Sequence, residues 1–274
     1  MKYIPAVLLF LAVSISTAEY YPARFEDGVT YSAVETSLYS APADTSEIIT
    51  VIPPGELLEI PGFTGEILAA DSCSWGWYEA RYRINNEVLS GFVTDRDLAF
   101  ASLPLGIDTL FVFRLTGFDV EDNAFDGEVS VIAGGKRICT QNYRPQWTPY
   151  HRIYDYEVVA TPADSRGFNE VSRLFLLHFG MDYPGVECRE DILVWTTDHK
   201  LLTGPQTIIP GSSDTVRYTT EVILPATPGG HHGQIQIYLI REHRADSTQE
   251  WEVAEDSTIL YRWNGEQFTA VDEE

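Results

Sequence analysis

Apolar and polar residues alternate with a period of two along much of this chain. Trp77, Glu79 and Arg81 alternate with Tyr78, Ala80 and Tyr82, and Ile235, Ile237 and Leu239 alternate with Gln236 and Tyr238. One face of each such segment can enter a core while the other meets water, the signature of a half-buried strand. Helical periodicity is weak throughout. The β-branched run at 47–52 stops at Pro53-Pro54-Gly55 and resumes at 57–60, which predicts a hairpin about a tight turn. Gly91-Phe92-Val93 suits a strand packed closely on its neighbour. After Leu103-Pro104-Leu105-Gly106, a turn-prone connection taken as a domain boundary, the strands lengthen; candidates fall at 109–116, 128–133, 152–160, 172–179, 191–195, 216–224, 234–241 and 258–263. Asn264-Gly265 between two aromatic strands predicts a type I′ turn. The expected fold is all-β, and the larger β-rich domain after the boundary is a sandwich, a meander or a barrel.

In order, Leu38-Tyr39-Ser40-Ala41-Pro42, Val51-Ile52-Pro53-Pro54-Gly55-Glu56, Trp77-Tyr78-Glu79-Ala80-Arg81-Tyr82 and Gly91-Phe92-Val93 resemble a bacterial SH3 (SH3b) domain. The resemblance implies an SH3-like barrel over 29–102, with Thr94 to Leu98 as the short segment before its exit. It also implies a binding module of an exported protein, with peptidoglycan or an envelope protein as the ligand. The barrel aromatics Tyr39, Trp75, Trp77 and Phe92 are then the candidate ligand contacts. One departure from the family is the stretch 61–76, read as an inserted long loop carrying Phe63, Cys73 and Trp75. The acidic loop motifs of eukaryotic SH3 domains are not recognisable, so a PxxP ligand is not implied. From about Leu174, the pieces His178-Phe179-Gly180, Asp191-Ile192-Leu193-Val194-Trp195, Ile223-Leu224-Pro225 and Tyr261-Arg262-Trp263-Asn264-Gly265-Glu266-Gln267-Phe268 resemble the C-terminal region of uncharacterised exported bacterial proteins with an SH3b module.

The N-terminus adds an address. Met1-Lys2, an apolar run from Ile4 to Ile15 and Ser16-Thr17-Ala18 predict a signal peptide over 1–18, with a spacer over 19–28. No Cys stands at the cleavage site for lipidation, and no later run is long enough to span a membrane. The expected protein is periplasmic or extracellular. Its 274 residues, 44% hydrophobic and 12% aromatic, suit a folded chain of about two domains. With 18 basic and 41 acidic residues the formal charge is −23, which excludes nucleic acid as a partner and weighs against anionic polymers and lipid surfaces.

The candidate chemistry is sparse. Three cysteines permit at most one internal bridge; Cys139–Cys188 is the favoured pair, with full reduction left open. There is no CxxC and no HExxH, and His231-His232 has no evident third ligand, so neither a metal nor another cofactor is expected. The acidic stretch from Asp119 to Glu128 has Ala124 where a calcium loop needs Gly, and a β-turn at Asp126-Gly127 is the simpler account. Gly211-Ser212-Ser213-Asp214 lacks the second Gly of a nucleophile elbow, and no Cys has the setting of a Cys-His peptidase. No catalytic residue is assigned. The alternatives are a wall-polymer hydrolase using carboxylates of the second domain, or a structural scaffold.

Overall fold

A computed structural model describes residues 25, 28–70, 73–119, 124–144, 156–181, 188–209, 213, 215–245 and 250–271. The protein is all-β. Its strands are β1 Val29–Tyr31, β2 Thr36–Tyr39, β3 Ile48–Ile52, β4 Leu57–Ala70, β5 Cys73–Ile84, β6 Glu87–Thr94, β7 Ala101–Pro104, β8 Thr109–Asp119 and β9 Ala124–Ala133. They continue as β10 Lys136–Tyr143, β11 Tyr156–Ala163, β12 Val171–Met181, β13 Cys188–Thr196, β14 Leu201–Ile209, β15 Val216–Ile223, β16 Gln234–His243, β17 Glu252–Trp263 and β18 Phe268–Val271. All the pairings are antiparallel.

Among the described residues four sheets form, in the orders β1-β4-β5-β6-β2-β3, β10-β9-β8-β7, β11-β12-β13-β14 and β15-β16-β17-β18. They stack through shared cores. The first sheet closes on Leu38, Ile52, Leu58, Tyr78, Tyr82 and Val93. The second presents Phe111, Phe113, Val129 and Val131 to Phe175, Leu177, Leu193 and Trp195 of the third. Its opposite face sets Leu110, Val112 and Ile132 against Ala33 and Ala99. The third sheet in turn lays Leu174, Ile192 and Val194 on Ile235, Ile237 and Trp263 of the fourth. Strands with both faces covered lose the period of two: Leu110-Phe111-Val112-Phe113 and Ile192-Leu193-Val194-Trp195 are continuous apolar runs. β16, paired on both sides within the fourth sheet, keeps the alternation, with Ile235 and Ile237 buried between more exposed neighbours.

Several sequence expectations are corrected. The predicted hairpin of 47–52 with 57–60 does not form, because β3 pairs β2 while β4 pairs β1 and β5. Its turn instead crosses to β1, where Gly55 N–H donates to Ser32 O at 2.7 Å and the Ser32 hydroxyl donates to Pro53 O at 2.6 Å. The described residues of the stretch 61–76 are strand, not loop: β4 and β5 pair through Ile67–Gly76, Leu68–Trp75 and Ala70–Cys73, with register shifts around Pro61 to Glu66 absorbing the extra residues. The connection expected at Leu103 to Gly106 is partly strand, since Leu103 and Pro104 pair with Phe111 and Leu110 as the edge β7. Asp126 and Gly127 lie inside β9 opposite Gly117 and Leu115 rather than in a turn. Asn264-Gly265 begins a four-residue connection. Asn264 Oδ1 accepts from the N–H groups of Glu266 and Gln267, each at 2.9 Å, and only Gly265 of the pair has positive φ, at 101°. Two-residue turns with both φ positive are Asn85-Asn86, between β5 and β6, at 48° and 68°, and Gly134-Gly135, between β9 and β10, at 55° and 72°.

Candidate functional site

Cross-strand register brings three of the four candidate contacts together on the first sheet. Tyr39 of β2 lies directly opposite Phe92 of β6, which lies opposite Glu79 of β5. The Tyr39 ring meets Trp77 edge-on, with centroids 5.3 Å apart. Tyr39 and Phe92 are half-buried, whereas Trp77, at 2% exposure, is buried against Tyr39 and offers no contact surface of its own. Trp75 does not join them. At 5% exposure it belongs with Phe111 and Phe175 to the core between the second and third sheets, where β4 and β5 deliver it beside Leu68. Its burial corrects its place among the ligand contacts.

A second signal at this surface escaped the sequence reading. Beside Tyr39, the edge strand β3 leaves Ile48, Ile49 and Val51 exposed at 50%, 40% and 49%. It is an uncharged edge of five residues, Ile-Ile-Thr-Val-Ile. The signal was available in the run 47–52, but only the pairing shows that it lies at an edge instead of between two neighbours. Close packing sets the position of the aromatics. A Cβ on Gly91 would lie 2.5 Å from Tyr39 O and 2.8 Å from the Leu38 side chain. Gly91→Ala is therefore expected to cost about 1–3 kcal/mol and to displace β2; chemical denaturation with Tyr39 and Phe92 chemical shifts reads both effects, and wild-type stability with unshifted signals would contradict the packing.

The other notable polar group is sealed between the second and third sheets. Arg189 Nε donates to Asp191 Oδ1 at 2.8 Å, and the Tyr143 hydroxyl donates to Asp191 Oδ2. Asp191 is fully buried, opposite Leu177 and Gln206, and Tyr143 stacks on Phe179. Burial pushes the Asp191 carboxyl up to about 8, because the apolar walls disfavour the charged form. On the opposite face of the second sheet, Glu128 Oε1 accepts from Arg114 Nε at 2.9 Å and from Arg137 at 2.5 Å. Burial works to raise Glu128, but the two guanidiniums outweigh it and hold the carboxyl below its usual range. Arg114 also donates to Arg96 O at 3.3 Å, tying the short 3-10 helix at Asp95–Asp97 to the second sheet. Glu128→Gln is expected to cost about 1–3 kcal/mol at neutral pH. A depressed carboxyl contributes stability above its unfolded pKa and loses it as pH falls, so the variant's deficit shrinks towards pH 3; urea titrations at both pH values would contradict this if the deficit stayed constant.

The remaining candidates are dispersed. Cys139, on β10, is a free thiol, so the bridge expected with Cys188 is not made; Cys188 opens β13 and Cys73 opens β5. His231 and His232 are exposed. Among the described residues no three His, Cys, Asp or Glu side chains converge as metal ligands, and no helix is long and apolar enough to cross a membrane. The signal peptide at 1–18, the core of the calcium-like stretch at 120–123 and Gly211-Ser212 with Asp214 lie outside the described residues. Comparison with known proteins gives no match to a family model, to a curated protein or to a solved structure.

Proposed function

We propose that this protein is an exported, non-enzymatic binding protein of the bacterial envelope that engages a protein partner through the outer surface of its first sheet. The observation that carries this reading is the exposed apolar strand β3 beside Tyr39 and Phe92, in a chain whose formal charge is −23. Contiguous apolar surface on a highly charged protein marks an interaction site more often than bare solvent contact. The SH3b resemblance supports the same region, and so does the short 3-10 helix at Asp95–Asp97, which falls where that resemblance puts the segment before the exit. An uncharged strand edge suits a polypeptide better than a glycan, and the acidic surface repels anionic wall polymers.

The test compares wild type with the Tyr39→Ala/Phe92→Ala/Val51→Lys variant, in retention of envelope proteins and in sedimentation with purified peptidoglycan. The expected result is saturable retention of a protein partner, reduced at least tenfold in the variant while thermal unfolding remains cooperative. Peptidoglycan sedimentation in place of protein retention would overturn the partner assignment, and clearing in a wall-polymer zymogram that is lost on acid-to-amide substitution would overturn the non-enzymatic one.

A further inference from the structure

Antiparallel sheets leave unpaired N–H and C=O groups along each edge, and natural edges are commonly blunted by charge, shortness or cover. Several other edges here follow that rule, and β14, which is also uncharged, is interrupted by Pro205. β1 and β18 are three and four residues long, β15 carries Arg217 and Glu221, and the free flank of β17 beyond its pairing with β18 carries Glu252, Glu255 and Asp256. β3 does not follow it. Among the described residues it pairs with β2 alone, and it presents five uncharged residues with three large apolar side chains in water.

The chain on either side of β3 carries one sign of charge. No lysine or arginine stands between Arg24 and Arg81, and Glu35, Asp44 and Glu47 stand next to β2 and β3 in that span. Asp44 and Glu47 are exposed in the connection from β2 to β3, and exposed Glu79 lies opposite Phe92. We propose that the partner's contact segment adds to β3 as a further strand, and that this segment is extended and combines β-branched with basic residues. The inference rests on the binding reading given above. Backbone hydrogen bonds along β3 would hold the segment, Ile49 and Val51 would pack against its apolar side chains, and the acidic rim would attract its cationic ones. A second copy of this chain suits the edge poorly, because it would bring the same acidic rim and a further charge of −23.

The probe is an acetylated octapeptide of alternating valine and lysine. Its comparators are the same peptide with alternate backbone amides N-methylated, and a valine–glutamate peptide. The full protein is examined by amide hydrogen exchange and by titration. The expected result is saturable binding of the valine–lysine peptide, exchange slowed at least tenfold at amides within Ile48–Ile52, binding weakened at least tenfold by N-methylation at unchanged charge, and none by the glutamate peptide. Equal binding of the N-methylated peptide, protection confined to other strands, or no binding of any peptide would overturn the strand addition. If Tyr39→Ala/Phe92→Ala still abolishes partner retention under those outcomes, the surface reading stands and only the strand mode fails. If that variant retains the partner fully, the surface reading fails and takes the strand mode with it.

Discussion

Asp191→Ala is expected to destabilise the protein by about 3–5 kcal/mol, and Asp191→Asn, which keeps an acceptor, by less at pH 7. The alanine removes the acceptor for both the Arg189 guanidinium and the Tyr143 hydroxyl, which are themselves almost wholly buried. Donors stripped of an acceptor in an apolar interior bear the full cost of leaving water. The asparagine keeps an oxygen in place and resembles the protonated carboxyl that burial favours up to about pH 8. The sign of the pH effect follows. In the unfolded chain an aspartate titrates near pH 4, so between about pH 4 and 8 the folded protein binds more protons than the unfolded one. Stability from this group therefore falls as pH rises through that window, at up to about 1.4 kcal/mol per pH unit. Urea unfolding of wild type and Asp191→Asn at pH 5 and pH 8 checks it: wild type should lose more stability over the interval than the variant does. Equal losses, or a gain in wild type at pH 8, would contradict the buried neutral carboxyl.

Trp75→Ala is expected to cost about 3–5 kcal/mol, the usual range for deleting a buried aromatic. Trp75 comes from the first sheet but sits in the core of the next two, so its loss opens a cavity where all three meet. Denaturant unfolding should shift to a markedly lower midpoint while partner retention, measured well below that midpoint, stays within about twofold of wild type. The opposite pattern, with stability kept and retention lost, would make Trp75 a ligand contact after all. Trp75 Nε1 is buried without a hydrogen-bond partner among the described residues. Trp75→Phe keeps most of the ring volume without that donor and should recover much of the lost stability.

Much of the architecture was legible because it depends on local pattern. The period of two around Trp77 to Tyr82 did place Tyr78, Ala80 and Tyr82 in the core and left Glu79 and Arg81 exposed. Strands at 109–116, 172–179, 191–195 and 234–241 lie within β8, β12, β13 and β16. What failed depends on which strand each segment pairs with. β10 reads as Lys-Arg-Ile-Cys-Thr-Gln-Asn-Tyr, too polar to announce a strand, and is drawn into the sheet by β9. β14 contains Gly204-Pro205, a strand breaker in isolation, tolerated where the register with β13 shifts. The aromatic candidates divided for the same reason. Tyr39, Trp77 and Phe92 share a site because β2, β5 and β6 run side by side, while Trp75, only two residues from Trp77, is carried past the first sheet by the extended β4–β5 pair. The exposed edge at β3 was written in the residues 47–52, but an apolar run looks alike whether it is central or at an edge until its neighbours are known.

Site-specific photo-crosslinking is the most direct test of the binding surface. A photoreactive residue is placed in turn at Val51 and Phe92 on the first sheet, and at Val253 on β17, a control side chain that is 63% exposed. The account predicts one discrete protein adduct from Val51 and Phe92 in the envelope and none from Val253. Equal labelling at all three positions, or adducts from Val253 alone, would contradict it.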